Sequence, residues 1–464
     1  MAKKDKKTAE QGKVKMPFQA PKGMHDILPN EQPYWEKLRR DVRVIAESYN
    51  FRRIDTTLLE PLGLFTQSLG AASDIVEKQM FSFRTKGGDT LVLRPEGTAS
   101  VMRAYIAHGL SHMGQPLKLY YVGPMFRYEQ PQAGRLRQFY QAGFEIFAGD
   151  DDAVYDAQII LACYRLLEAA KIKQLVVRLN TIGCRNCRPN YRKRLVDYYT
   201  GRGGNTNKEK ELCGDCRRRL VVNPLRLLDC KNASCIAIKK DAPIILDHLC
   251  TFCKSHFKRV LEYIEELNIP YALDNYLVRG LDYYNRTVFE IFTESTAPVA
   301  HATPDIRHRT PPAERPTERA FDFALGGGGR YDYLAEMLGG RETAAVGGAI
   351  GLDRAIEVMQ AFGVALPHPP TKIFLIHMGD LSKKKSLGLI ELLRREGISV
   401  AESLGKESLK AQLRSADKGG APLALIFGQK EALEDSIIIR DLRTGAQETV
   451  PLHKAASEVK RRLK

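Results

Sequence analysis

Residues 119–147 read LYYVGPMFRYEQPQAGRLRQFYQAGFEIF, and their patterning predicts two strands joined by a charged loop. The first strand starts at Leu119-Tyr120-Tyr121-Val122 and runs on to Tyr128. The loop, Glu129 to Leu136, carries the turn formers Pro131 and Gly134, and the second strand runs from about Arg137 to Phe147. Side chains alternate faces along a strand, so Arg127 and Glu129 share one face of the first, while Phe139, Gln141 and Glu145 share one face of the second. Gly143 leaves that second face open at one point. The expected wall has cations at one end, an aromatic plate, and an amide and a carboxylate at the other. It suits a polyanion, a flat ring and a small polar ligand held side by side; an exposed charged hairpin would show the same spacing.

The 464 residues are enough for two or three domains with substantial cores, and 44% hydrophobic with 27% charged residues is ordinary for a globular chain. No apolar run reaches membrane-spanning length. The start, MAKKDKKTAEQGKVK, has no apolar segment behind its basic residues, so residues 1–16 read as a disordered basic arm rather than a secretory signal. A formal charge of +16 points to a polyanionic partner, with nucleic acid the best fit. Eight of the nine cysteines fall in four pairs between 184 and 253: Cys184/Cys187, Cys213/Cys216, Cys230/Cys235 and Cys250/Cys253. CxxC spacing without an export signal favours metal over disulfides and implies a reducing, cytoplasmic setting. Two such pairs complete a tetrahedron around zinc, so the eight thiols predict one or two closed, structural sites of four cysteines each, with the combination of pairs left open. Buried free thiols are the alternative, and Cys163, outside the cluster, reads as core.

Elsewhere, Trp35, Leu38, Val42, Ile45 and Tyr49 form one helical stripe in a helix over 30–50, with Asn30 as start cap and Asn50 closing the end. A turn is expected at Gly87-Gly88-Asp89. Glu96 and Thr98, in LVLRPEGTAS, lie two residues apart on a strand or extended turn and offer acceptors to an ammonium group. The run LGGGGRYDYLAEMLGG lets backbone approach a ligand closely. Residues 294–320, rich in Pro, Thr and Ala, read as a mobile surface insertion. After a Pro-rich linker (363–371), strand (373–377), helix (382–396), strand (398–401), helix (406–418), strands (422–427 and 436–440) and a last helix predict a small α/β domain. In it Lys410, Arg414 and Lys418 share a helical face suited to phosphates or simply to solvent.

FRYEQPQAGRLRQF resembles motif 2 of class II aminoacyl-tRNA synthetases, and the pattern F-R-x-E-x-P-Q-x-G-R-x-R-x-F-x-Q-x-G-x-E resembles its histidyl-tRNA synthetase form. LVRGLDYYNRTVFE (277–290) resembles the histidyl-specific motif, GLDR (351–354) resembles motif 3, FRRIDTTLLEPLGLF (51–65) resembles motif 1, and NPLRLLDCK resembles the family's insertion over the tRNA acceptor stem. The likeness runs from about Gly23 to the C-terminus. It implies an α/β chain whose α+β catalytic core is an antiparallel sheet flanked by helices. The core would span 17–174 and 256–362, with a Cys-rich insertion at 175–255 and a mixed-sheet anticodon-binding domain at 372–464. It implies a homodimer without membrane association that joins histidine to tRNA(His) using ATP and Mg2+. By the same resemblance, Arg127 and Arg279 would be catalytic on the α-phosphate. Glu129, Arg135, Phe139 and Arg354 would join Arg127 in binding ATP. Glu96, Thr98, Gln141, Glu145, Tyr283 and Tyr284, with Arg127 and Arg279, would hold histidine. Three departures stand out: Thr57 where the family has proline, Gln130 where relatives carry arginine, and Asp353 where they carry glutamate.

Overall fold

A computed structural model describes residues 18–70, 73–130, 134–204, 206–294, 297–298, 318–319, 321–366, 373–405 and 408–463. The expected basic arm, nearly all of the 294–320 insertion and most of the 363–371 linker lie outside the described residues. The chain divides into two compact units, residues 1–364 and 365–464.

The first unit opens on α1 (Gln32–Ser48), which buries Trp35, Leu38, Val42 and Ala46, while Ile45 and Tyr49 of the expected stripe lie half-buried beside them. Its cap position is Glu31 rather than Asn30, and the Glu31 carboxylate accepts from the Leu28 N–H at 3.0 Å. Asn50 closes the end in the left-handed conformation, φ 62°. The chain continues through β1 (Arg52–Arg53), β2 (Leu59–Pro61), α2 (Leu62–Leu69), then β3 (Phe81–Arg84) and β4 (Thr90–Leu93) around the expected turn. Next come α3 (Thr98–Ala107), β5 (Leu117–Phe126), β6 (Gln138–Ala148), α4 (Ala153–Ala169) and β7 (Leu175–Thr181). The helices α5 (Arg188–Thr200), α6 (Gly214–Val222) and α7 (Ala233–Lys239) form the insertion. The core resumes with α8 (Thr251–Glu266), β8 (Tyr271–Leu273), β9 (Asn285–Thr293), the small pair β10 (Ala297–Pro298) and β11 (Glu318–Arg319), β12 (Gly326–Arg330), α9 (Leu334–Met337), β13 (Ala344–Gly351) and α10 (Leu352–Ala361).

Eight strands build one sheet in the order β1-β5-β6-β13-β12-β9-β7-β8, antiparallel from β5 to β7. One face packs on α1, α4, α8 and α10, and the other on α2, α3 and the insertion. β7 pairs with β9 from Leu175 to Thr181, so residues 175–181, expected in the Cys-rich segment, are a strand of the main sheet. β5 and β6 pair from Leu117↔Phe147 to Phe126↔Gln138. The first of them stops at Phe126 rather than Tyr128, because the Tyr128 N–H turns to the Gln79 carbonyl at 2.7 Å. Thr57, in the motif 1 stretch, donates to Glu60 at 3.0 Å, and Glu60 also receives Arg103 at 2.7 Å.

The second unit contains β14 (Ile373–His377), α11 (Asp380–Arg395), β15 (Ala401–Glu402), α12 (Leu409–Lys418), β16 (Leu423–Phe427), α13 (Gln429–Leu433), β17 (Ser436–Asp441), β18 (Gln447–Pro451) and α14 (Ala455–Leu463). Its sheet, β15-β14-β16-β17-β18, is parallel across the first three strands and antiparallel across the last three, a mixed sheet as expected. The sequence expectation omits α13 and β18; β18 buries only Val450 and carries little apolar signal. On α12, Lys410, Arg414 and Lys418 are exposed, opposite the buried Gln412 and Ala416.

Candidate active site

Alternation along β6 sorts its residues. Ala142, Phe144 and Ile146 enter the core against α1 and α4, and Phe139, Gln141 and Glu145 point to the other side. On that side lies a cavity of about 1610 Å3. Glu96, Thr98, Arg127, Glu129, Arg135, Phe139, Gln141, Arg279, Tyr283, Tyr284 and Arg354 all line it, drawn from separate stretches of chain. Glu145 does not line it: this side chain has no exposed surface and lies one layer deeper.

The acidic end is built on the start of α3. Glu96 and Thr98 do not sit on a strand. Thr98 is the first residue of the helix, and the Glu96 carboxylate accepts the Thr98 and Ala99 N–H groups, each at 2.8 Å. The Tyr283 hydroxyl adds a third donor at 3.3 Å. The Thr98 hydroxyl turns inward and donates to Glu145 at 2.7 Å, and the other Glu145 oxygen receives the Tyr331 hydroxyl. Burial pushes the Glu145 carboxyl up to about 8 against the pull of those two hydroxyls, and burial also raises Glu96. The space beside Gly143 is not open. The Tyr121 ring from the facing strand fills it, and a Cβ at Gly97 or Gly143 would run into that ring.

The opposite end is cationic. The Arg127 Nε donates to the Pro95 carbonyl at 2.9 Å, and its guanidinium stands 5.2 Å from the Phe139 ring. Arg135 reaches Glu129 at 3.4 Å, and Arg279 pairs with Glu290 at 2.5 Å. Arg354 is tethered to the carbonyls of Gly134 (2.8 Å) and Ala324 (2.7 Å), over the Phe323 ring. Burial lowers both Arg127 and Arg354; Arg279 adds to the lowering of Arg127, and Arg127 and Arg135 to that of Arg354. Four guanidinium groups thus crowd a site in which their charges oppose one another.

The glycine run serves close packing inside the sheet. A Cβ at Gly327 would meet the Phe289 carbonyl at 2.6 Å and Arg279 at 2.8 Å, and one at Gly347 would run into the Glu145 carboxylate, whose strand position it faces. Asp353 accepts from the Tyr140 N–H at 2.6 Å, and burial brings its carboxyl up to about 6. Sequence reasoning misses Tyr121, Glu290, Phe323 and Tyr331 as site residues. Glu290 was discoverable, because it alternates with the core residues Phe289 and Ile291 in VFEIF.

The cysteines resolve into two groups, Cys184/Cys187/Cys250/Cys253 and Cys213/Cys216/Cys230/Cys235, with the sulfurs of each within 4.8 Å of one another. Cys184 lies 3.8 Å from Cys187 and 3.9 Å from Cys250, Cys187 lies 3.8 Å from Cys253, and Cys213 lies 3.8 Å from Cys230. Four thiolates ~2.3 Å from a tetrahedral zinc stand about 3.8 Å apart, so both groups fit such an ion. Burial disfavours the Cys184 thiolate, but the N–H groups of Cys187 and Asn186 aimed at the sulfur bring the thiol down to about 7. The first group joins the two ends of the insertion; Cys213 and Cys230 of the second stand on the rim of the large cavity. Cys163 is fully buried core.

The large antiparallel sheet with arginines, an aromatic ring and a buried carboxyl along one cavity, together with a mixed-sheet unit, matches a class II aminoacyl-tRNA synthetase fold. Residues 23–188 match the family model described as histidyl-tRNA synthetase, and residues 372–462 match the anticodon binding domain model. The chain is 41% identical over 447 residues to a histidine–tRNA ligase of Dehalococcoides mccartyi, covering 96% of this chain and all of that one. It is 39% identical to the histidine–tRNA ligase of Thermodesulfovibrio yellowstonii, with 96% and 99% covered. The solved structure of apo histidyl-tRNA synthetase from S. aureus is similar at 30% identity and TM-score 0.75, covering 96% of this chain and all of that one. The chain belongs to the histidyl-tRNA synthetase family and is an aminoacyl-tRNA ligase.

Proposed function

We propose that this chain activates histidine with ATP and transfers it to tRNA(His). The observation that carries the proposal is the division of one cavity: the guanidinium groups of Arg127, Arg135, Arg279 and Arg354 line one end and the buried Glu96 carboxyl lines the other, with Glu145 one layer beneath it. Such a division suits a polyphosphate at the first end and an ammonium group with a small polar ring at the second. In the first step a histidine carboxylate oxygen attacks the α-phosphorus of ATP and pyrophosphate leaves. Arg127 and Arg279 bind the α-phosphate and stabilise the charge that builds there. Arg135 and Arg354 hold the outer phosphates, Phe139 stacks on adenine, and Glu129 stands near its amino group. Glu96, Thr98 and Gln141 hold the amino acid backbone, while Tyr284, with Tyr283 behind, faces the imidazole, and Glu145, expected to bind it directly, lies one layer deeper and anchors the Thr98 and Tyr331 hydroxyls. Mg2+ supplies charge neutralisation on the phosphates when bound. In the second step the terminal ribose hydroxyl of the tRNA attacks the acyl carbon and AMP leaves.

The two cysteine groups hold structural zinc in this proposal, since all four sulfurs of each are used and no ligand position remains for water. A homodimer is supported by Leu58, Leu59 and Phe83, each over 40% exposed on and beside the small β2-β4-β3 sheet. The paired cysteines, whose thiols suit a reducing compartment, support a cytoplasmic setting. ATP–pyrophosphate exchange with each amino acid in turn tests the activity. Exchange with histidine alone is expected; no exchange with any amino acid in folded protein would overturn the proposal.

A further inference from the structure

The stretch Arg279-Gly280-Leu281-Asp282-Tyr283-Tyr284 carries three of the groups assigned above; Tyr283 and Tyr284 are buried in the core and Asp282 lies against Gly70, but space is left on the side toward the insertion. A second cavity of about 150 Å3 lies there, lined by Arg188, Asn223, Arg226 and Asp282, and it shares Arg279 and Tyr284 with the large cavity. Close packing fixes side chains only where neighbours fill the space. What crosses this gap is a set of three hydrogen bonds from the insertion. Arg226 donates to the Gly280 carbonyl at 3.1 Å, Asn223 to the Asp282 carboxylate at 2.8 Å, and Arg188 to the Tyr284 carbonyl at 2.7 Å. Arg226 is itself fixed. It is 8% exposed and uses a different nitrogen to reach Asp74 at 2.8 Å, an oxygen that also takes Arg219 at 3.0 Å. One planar guanidinium thus spans two acceptors in fixed geometry, which a lysine ammonium does not reproduce.

We infer that Asn223 and Arg226 of the insertion are positioning residues for histidine activation: they hold the 279–284 loop so that Arg279 and Tyr284 meet the substrate, coupling the insertion to the amino acid site. The inference rests on the proposed function for its kinetic arm only. The adenine and outer-phosphate contacts assigned to Phe139, Arg135 and Arg354 lie on other elements, and Arg279 is the one loop residue assigned to ATP, at the α-phosphate, so a loosened loop affects histidine more than ATP.

The test compares Arg226→Lys and Asn223→Ala with the unmodified chain, by hydrogen–deuterium exchange over 277–284 and by histidine-dependent pyrophosphate exchange. Expected are faster amide exchange in the loop, no change in α3, a KM for histidine raised about fivefold or more with kcat down about tenfold, and a KM for ATP within about twofold. Unchanged loop exchange in folded variants would overturn the inference. So would a faster loop with unchanged histidine kinetics, or an equal loss for ATP and histidine. If the unmodified chain activates no amino acid, the proposed function fails, and the amide exchange still decides whether the bracket holds the loop.

Discussion

Glu145 shows how much a residue's role depends on its surroundings. Along the sequence it is one more acidic residue on an alternating strand. In the fold it faces Gly347 across the sheet, receives two hydroxyls and has no exposed surface. Its carboxyl sits near 8 when folded, against 4.5 as the ordinary value. Between those values the folded chain keeps a proton that the unfolded chain has lost, so this group destabilises the fold as pH rises from about 4.5, fully so above about 8. Glu145→Gln is expected to gain stability over the parent at pH 8.5 by on the order of a few kcal/mol, and to lose that advantage near pH 5. Urea unfolding at the two pH values measures it, and equal differences at both would rule the buried acid out. Arg279 is the second test at this scale. Arg279→Ala is expected to lower histidine-dependent pyrophosphate exchange by about 10²–10³-fold. Its ion pair with Glu290 is partly exposed on both sides, so the melting temperature is expected to move little. Near-normal exchange would remove Arg279 from its assigned role.

Among the elements, the β5–β6 pair was legible because both its signals are local: alternation fixes the faces and the Pro/Gly loop fixes the reversal. Its pairing and the shared face of Phe139, Gln141 and Glu145 came out as expected. The ending at Phe126 did not, because a hydrogen bond from Tyr128 to Gln79 decides it, and that partner is distant in sequence. The insertion shows the same division. CxxC spacing marks pairs, but only the fold brings Cys184/Cys187 to Cys250/Cys253 across the helices between them. Purified chain is expected to carry two zinc ions by elemental analysis, and Cys213→Ser with Cys230→Ser to carry one. Loss of the first site, by Cys184→Ser with Cys250→Ser, is expected to cost more melting temperature, since it joins both ends of the insertion to the core. A full complement of zinc in either double variant would refute the assignment of ligands.

For the molecule as a whole, the exposed apolar residues of the β2-β4-β3 sheet carry the expectation of a dimer. Light scattering on the eluting protein is expected to give twice the 52.2 kDa of the chain, and Leu58→Glu to shift it toward the monomer. A monomeric parent chain would refute the dimer directly.

Local pattern along the chain was enough for most of the strand and helix order of the second unit, the reversal that builds the site's floor, and the motif stretches that carry the family resemblance. These follow from periodicity, turn chemistry and motif spacing, which act between near neighbours. Folding in three dimensions was needed for the register that sets Glu145 against Gly347, the Tyr121 ring in the gap at Gly143, Tyr331 on the buried carboxyl, the combination of cysteine pairs, and the grip of Arg226 and Asn223 on the 279–284 loop. Each of these joins residues tens to hundreds of positions apart, where packing and hydrogen bonding select partners that no local pattern specifies.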